Sequence, residues 1–189
     1  MPKTVPSQVP KNRPRDQSRS RARLVAAGGG LLAALITFAV LGRSASNDFS
    51  PYPLAPFALA SLRDESSVLD TRTYAGKGLV VNFFFSTCPP CRIELPVLQS
   101  ASESLPADVV MLGIDHGEPR SSAAPFVAQA GLTYDVMFDE KGFVAPNVGV
   151  ITFPTTLFVN SSGIVVKRHL GAISAKELQR GIDLVSHAS

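Results

Sequence analysis

Cys88 and Cys91 are the only cysteines of the chain, and Pro89 and Pro90 separate them. They lie between a continuous apolar run, Gly78 to Phe85, and a segment of helical periodicity, so the pair belongs to a junction of strand and helix. The unpaired N–H groups and the positive dipole end of a helix N-terminus stabilise a thiolate. Because thiolate is the nucleophile in disulfide exchange, the spacing predicts a redox-active pair.

The position of each cysteine along the predicted helix assigns it a role. Prolines suit the first helical turn, and they stiffen the loop that holds the sulfurs together. We expect Cys88, at the helix start, to be exposed and to attack a substrate disulfide. Cys91, one turn deeper, should be shielded and should attack the mixed disulfide, which leaves a Cys88–Cys91 disulfide. No cofactor is predicted besides this redox-active disulfide.

The sequence argues against two other functions of a cysteine pair. A zinc site needs further ligands, but the three histidines, His116, His169 and His187, show no ligand spacing, so no metal is predicted. A purely structural disulfide is typical of exported proteins, but such disulfides usually close longer loops. The short spacing favours redox chemistry.

The elements around the pair predict an α/β fold. Apolar residues recur at i, i+4 and i+7 from Cys91 and predict a helix over residues 89–103, which Pro96 should kink. A second apolar run, Asp108 to Ile114, follows. Strand, helix and strand in this order predict a crossover unit with parallel strands.

The second half of the chain predicts shorter elements and an antiparallel hairpin. A turn-forming cluster, residues 160–163, separates two β-rich runs. Ser174 and Glu177 form a capping box for a closing helix with Leu178, Ile182 and Val185 on one face. The other predicted elements are a helix at 121–130, a strand at 134–138, a helical turn at 143–148 and the hairpin strands at 155–159 and 164–167.

The charge of the chain is concentrated at its start. Residues 1–43 hold eight basic side chains and one acidic one, so their charge of +7, within a total of +3, leaves −4 for the remainder. Residues 1–23 are predicted to be a disordered arm, because their composition buries too little apolar surface to offset the ordering entropy. Residues 43–53 are predicted to be a linker, and the folded domain should occupy residues 54–189.

Residues 24–42 form an uncharged apolar stretch. A helix of that length roughly matches the ~30 Å hydrocarbon core of a bilayer, so a transmembrane anchor is predicted. Basic residues stay on the cytoplasmic side, which places the domain outside the cytoplasm at the cell membrane. The alternative is a cleaved signal sequence, since Ser44 and Ser46 offer small residues for cleavage, but the apolar stretch is longer than the usual ~7 to 15 residues.

Two blocks of sequence, Gly76 to Leu98 and Gly149 to Gly171, together resemble the TlpA/ResA family of thioredoxin-like reductases. The resemblance covers roughly residues 54–185. It implies a thioredoxin-like fold with a central mixed sheet flanked by helices. It also implies reduction of protein disulfides, for example in cytochrome c maturation, with electrons supplied by a membrane thiol carrier of the CcdA or DsbD type.

The same resemblance assigns further site residues. Pro154 should follow a cis peptide bond and lie across from Cys88, where the backbone of Phe153 can pair with an extended substrate. Thr87 and Pro89, on either side of Cys88, are the other predicted substrate contacts.

Two polar residues are predicted to support the cysteines. Asn82 stands where cytoplasmic thioredoxins carry a buried aspartate, and an amide cannot accept the proton of Cys91. Glu94 matches an acidic position of the family and is the favoured acceptor, and the alternatives are water or no dedicated group. The alternative for Glu94 is a solvated glutamate on a helix face.

The chain departs from the family pattern beside the pair. Thr87 and Phe84 stand where the family usually has tryptophan, and the chain has no tryptophan at all. Thr152 stands where a glycine is common. Two alternative functions on the same fold are copper delivery, for which His169 is the candidate imidazole, and thiol peroxidase activity, whose usual threonine is replaced by Phe85.

Overall fold

A mixed eight-stranded sheet organises residues 49–186, the part of the chain that this computed structural model describes. The strands lie in the order β1-β8-β7-β4-β5-β6-β2-β3. In chain order they are β1 Tyr52–Pro53, β2 Ala58–Ser61, β3 Val68–Asp70, β4 Gly78–Phe84, β5 Val109–His116, β6 Asp135–Asp139, β7 Thr155–Val159 and β8 Ile164–Leu170. The helices are α1 Pro89–Ser102, α2 Arg120–Gln129, α3 Val144–Asn147 and α4 Ala175–Ser186, with a 3-10 turn at Thr71–Tyr74.

The predicted crossover unit is confirmed. β4 is parallel to β5, and β5 is parallel to β6, whereas β7 is antiparallel to β4. All seven residues of β4 are buried, as its continuous apolar sequence predicted for a central strand. Because parallel strands end at the same edge of a sheet, the ends of β4 and β5 lie side by side where α1 begins.

The predicted hairpin and closing helix are also confirmed. β7 and β8 pair antiparallel, and the Asn160 side chain accepts hydrogen bonds from the N–H groups of Ser162 and Ile164 in the turn between them. At the start of α4 the N–H group of Glu177 donates to the Ser174 hydroxyl at 3.3 Å. The Glu177 carboxylate also pairs with Lys167 and Arg180, so it ties α4 to β8.

Three strands near the start of the domain were not predicted. The linker prediction for residues 43–53 is wrong at its end, because Tyr52 pairs with Val165 of β8 and donates its hydroxyl proton to the Val148 carbonyl at 2.8 Å. β2 pairs with β6, and β3 pairs with β2. These strands have two to four residues each and lie toward the sheet edges, so they carry too little periodicity to be recognised.

The two faces of the sheet carry separate apolar clusters. Val80 and Phe84 point to the face covered by α1, α2 and α4, whereas Val81 and Phe83 point to the opposite face with α3. By the alternation of a strand, Asn82 shares the face of Val80 and Phe84 and therefore points toward α1.

No helix within residues 49–186 is long and apolar enough to cross a membrane. The predicted arm at 1–23, the predicted anchor at 24–42 and most of the predicted linker lie outside the described residues.

Candidate active site

The two cysteines form a disulfide at the N-terminus of α1, with their Cα atoms 5.3 Å apart. Cys88 is the N-cap residue, and its sulfur accepts a hydrogen bond from the Cys91 N–H at 3.2 Å. Pro89 and Pro90 occupy the first two helical positions, where no intrahelical N–H bond is lost. The helix start therefore directs a hydrogen-bond donor and its positive dipole end at the first sulfur.

The prediction that Cys88 is exposed is wrong for this oxidised form. Cys88 is 3% exposed and Cys91 is fully buried, and both belong to the apolar cluster on the helix side of the sheet. In a disulfide each sulfur covers part of the other, which reduces the surface that Cys88 presents. Thr87 and Pro89 are exposed on either side, so Cys88 lies just below the surface and Cys91 one layer deeper.

The Phe153–Pro154 peptide bond is cis, as the resemblance implied. β7 begins at the next residue, and Thr155 pairs with Phe83 near the end of β4. The loop before β7 therefore runs beside the segment that leads to Cys88, and the rings of Phe153 and Phe85 meet edge to face at 5.4 Å. Pro154 is buried, and its carbonyl accepts a hydrogen bond from the Gly171 N–H at 2.8 Å.

Glu94 is buried, so the alternative of a solvated glutamate is wrong. Its side chain is on the sheet side of α1 at 1% exposure. One carboxylate oxygen accepts a hydrogen bond from Asn82 Nδ2 at 2.7 Å, and the other accepts one from the Ile173 N–H at 2.9 Å. Burial raises the pKa of Glu94 to about 7, although both hydrogen bonds oppose this rise. Glu94 can thus exchange a proton near neutral pH.

Asn82 links three elements below the cysteines. Its Nδ2 group donates to Glu94 on α1 and to the Thr156 hydroxyl on β7, the latter at 3.0 Å. Cys91 and Glu94 are three residues apart on α1, so their side chains are neighbours on one helix face. Asn82 therefore holds the carboxyl group beside the deeper cysteine.

His169, the candidate copper ligand, lies on β8 with its Nε2 atom 3.3 Å from the Ala172 carbonyl oxygen. Within residues 49–186, no group of three or more histidine, cysteine or acidic side chains is arranged to hold a metal ion.

The sequence did not reveal a second polar group beside the pair. Asp115 and His116 end β5, and Glu118 follows in the next loop. Glu118 accepts hydrogen bonds from both the N–H and the hydroxyl of Ser86, which is two residues before Cys88. The available signal was that polar residues end an apolar strand parallel to β4, since such ends meet at one edge.

His116 and Phe153 form a stacked pair of rings with centroids 4.6 Å apart. Phe85, whose ring meets Phe153 edge to face, completes a cluster of three rings that joins the end of β5, the cis-proline loop and the segment before Cys88. Gly142 also lies against the His116 ring, since a Cβ added there would meet the imidazole at 2.8 Å.

The model of the Redoxin family matches residues 45–181. The chain is 29% identical over 130 residues to the thiol-disulfide oxidoreductase ResA of Halalkalibacterium halodurans, which covers 68% of this chain and 73% of the relative. It is 26% identical over 142 residues to the sporulation thiol-disulfide oxidoreductase A of Bacillus subtilis, and this alignment covers 73% of this chain and 84% of the relative. The crystal structure of a DsbF homologue from Corynebacterium diphtheriae superposes with a TM-score of 0.65 at 23% identity, over 75% of this chain and 90% of that one, and shows the same fold.

Proposed function

This chain belongs to the Redoxin family and is a thioredoxin-like thiol–disulfide oxidoreductase, and from that premise we propose that it reduces protein disulfides outside the cytoplasm. The observation that carries the proposal is the hydrogen bond from the Cys91 N–H to the Cys88 sulfur at the start of α1. That donor and the helix dipole stabilise negative charge on Cys88 when the pair is reduced.

The cycle begins with the reduced pair. The Cys88 thiolate attacks one sulfur of a substrate disulfide, the substrate S–S bond breaks, and one substrate thiolate leaves. Cys91 then loses its proton and attacks Cys88, the mixed disulfide breaks, and the second substrate thiolate leaves. Two electrons pass from the pair to the substrate, and the Cys88–Cys91 disulfide seen here is the product.

Glu94 is the group proposed to receive the Cys91 proton. It is buried on the same helix face as Cys91, and burial raises its pKa to about 7, so its carboxylate is a competent base near neutral pH. Asn82 is proposed to position this carboxylate through the 2.7 Å hydrogen bond.

The substrate is proposed to be an extended polypeptide segment. Thr87 and Pro89 are exposed beside Cys88, and Phe153 and Pro154 form the loop along the other side. Pairing of a substrate backbone with Phe153 would bring a substrate disulfide to Cys88 without a deep pocket.

The proposed setting is the outer side of the cell membrane. It is supported by the basic arm at 1–23 and the apolar stretch at 24–42, which together have the composition of an anchor with its domain exported. Electrons would then reach the pair from a CcdA-type or DsbD-type membrane thiol carrier, and apocytochrome c is a proposed target.

Trapping of partners tests the function. We expect full-length Cys91→Ser, expressed in cells, to accumulate mixed disulfides through Cys88, because the sulfur that resolves them is gone. Cys88→Ser and the double variant are the matched controls and should trap nothing. Trapping by Cys88→Ser but not by Cys91→Ser would reverse the assigned roles. If neither variant trapped a partner, the exchange reaction would be contradicted.

A further inference from the structure

Glu118 holds the residue that leads into the cysteine pair. Ser86 is 7% exposed and lies between the end of β4 and Cys88. Its N–H donates to Glu118 Oε1 at 2.6 Å, its hydroxyl donates to Glu118 Oε2, and its carbonyl accepts from Arg92 Nη2 at 2.9 Å. Every polar group of Ser86 is therefore fixed, two of them by one carboxylate.

Asp115, three residues before Glu118, is fully buried. It pairs in register with Phe84, the last residue of β4, so it is level with the start of the segment that carries Cys88. Neither of its carboxyl oxygens accepts a hydrogen bond from a donor among residues 49–186. A buried carboxylate without a donor or a cation is unfavourable. A protonated carboxyl group is uncharged and can donate a hydrogen bond through its O–H group.

Glu118 is the acceptor available to that proton. Burial is the largest cause that raises the pKa of Asp115 to about 8, and the charge of Glu118, a hydrogen bond to Glu118 and the charge of Asp139 contribute to the same rise. Two ionised carboxylates have no proton to share, so the contact between Asp115 and Glu118 becomes a hydrogen bond only when one of them is protonated.

We propose that Asp115 and Glu118 share one proton and together act as a positioning pair for the segment that carries Cys88. Asp115 keeps the proton and donates it to Glu118, and the Glu118 carboxylate accepts from Ser86. The pair is distinct from Glu94, which lies on α1 beside Cys91. Its role in exchange rests on the proposed function, whereas its proton sharing does not.

The charged groups around the pair are engaged elsewhere. Asp139 of β6 accepts from the N–H groups of Phe143 and Val144 and lies 3.5 Å from His116 Nδ1. Arg92 of α1 binds the Ser86 carbonyl. Arg120 of α2 pairs with Glu65 at 3.0 Å and donates to the carbonyls of Ser61 and Leu62. The proton therefore takes the place of a cation at Asp115.

Loss of this proton should loosen the segment. When Asp115 ionises, its buried carboxylate repels the half-buried carboxylate of Glu118, and Glu118 no longer receives a hydrogen bond from Asp115. Ser86 then loses a well-placed partner two residues before the attacking sulfur. Exchange through Cys88 should weaken above the pH at which Asp115 ionises.

A direct titration tests the shared proton. The oxidised full chain, in which the thiols do not titrate, is labelled with ¹³C at the aspartate carboxyl groups and followed by NMR from acid to alkaline pH. We expect one aspartate to titrate near pH 8, as its raised pKa indicates, and to be missing from the spectrum of Asp115→Asn. An Asp115 that titrates near the ordinary value of about 4 would overturn the proposal.

The consequence for exchange is measured with the same variant. We compare wild-type and Asp115→Asn rates of disulfide reduction at each pH, since the amide can still donate to Glu118 but cannot ionise. The wild-type rate divided by the variant rate should be constant at and below neutral pH. At alkaline pH this ratio should be about fivefold lower, the effect of one lost hydrogen bond. The exposed Glu140→Gln variant is the control and should follow the wild type.

Each outcome separates the two proposals. A ratio that stays constant across the pH range would overturn the positioning role even if Asp115 titrates as expected. An absence of exchange in the wild type would contradict the proposed function, while the titration would still decide whether the proton is shared.

Discussion

Glu94 is the residue whose chemistry is most changed by its surroundings. Its pKa is raised to about 7 by burial, so the carboxylate that can accept the Cys91 proton becomes populated as pH rises through neutrality. We expect Glu94→Gln to slow the resolving step about a hundredfold at neutral pH, the low end of the range for loss of a general base. Decay of a mixed disulfide between Cys88 and a labelled peptide measures this step separately from the attack.

The sign of the pH dependence identifies the role. In the wild type the resolving rate should rise with pH through about 7, and in Glu94→Gln this rise should be absent. Glu103→Gln, an exposed carboxylate at the end of the same helix, serves as the control and should match the wild type. A variant that slows attack by Cys88 and resolution equally would indicate a structural role for Glu94 instead.

The sequence identified the site residues whose roles depend only on their neighbours along the chain. The spacing of Cys88 and Cys91 and their place before a helix are properties of adjacent residues, so they could be recognised directly. The burial of Glu94 could not, because it depends on Asn82 and on the Ile173 N–H, which is 79 residues away. Glu118 was missed for the same reason, since its partner Ser86 is 32 residues away.

At the scale of elements, α4 is placed by a close approach to the sheet. Gly181 faces Phe158 of β7, and a Cβ added at this glycine would lie 2.0 Å from the Phe158 ring. A side chain there forces the helix or the ring to move, which typically costs about 1 to 3 kcal/mol and exceeds the gain of up to about 1 kcal/mol in helix propensity. We therefore expect Gly181→Ala to destabilise the domain.

Urea unfolding of the oxidised protein measures this change in free energy. Lys176→Ala, at an exposed position of the same helix, is the control and should change stability by less than about 0.5 kcal/mol. If Gly181→Ala raises the stability, helix propensity dominates and the contact between α4 and β7 is looser than the structure indicates.

Elements were predictable in proportion to their length and burial. β4 and β5 carry long apolar runs, β7 carries a run of β-favouring residues, and α1 and α4 carry clear helical periodicity, so each was recognised close to its observed bounds. β1, β2 and β3 depend instead on pairing with β8, β6 and one another. Such edge pairing is decided by the assembled sheet, and the short sequences Tyr52–Pro53 and Val68–Asp70 do not encode it on their own.

At the scale of the whole molecule, the exchange site gathers where strands from distant parts of the chain end together. The segment after β4, the end of β5 and the loop before β7 all meet at the N-terminus of α1. This convergence follows from the strand order. The alternation of strand and helix predicted an α/β fold with parallel strands, but it did not predict the order of the strands. It also places two buried acids, Glu94 and Asp115, on the helix side of one sheet.

These two acids should make the stability of the whole domain depend on pH. Their pKa values are raised by burial to about 7 and about 8, so the folded state keeps protons that the unfolded chain releases above about pH 4. A state that binds more protons is weakened as pH rises, so stability should be greatest near pH 5 and fall through pH 8. Because one pKa unit corresponds to about 1.4 kcal/mol, the total loss should be several kcal/mol.

Urea unfolding of the oxidised full chain at several pH values measures this dependence. The surface carboxylates of Asp64, Asp70 and Glu177 have lowered pKa values, so their contribution changes only in more acidic solution. The fall between pH 5 and pH 8 should therefore shrink in Glu94→Gln and in Asp115→Asn, and most in the double variant. A wild-type stability that stays level or rises over this range would mean that neither acid retains its proton on folding, and the proton-sharing pair beside Ser86 would lose its basis.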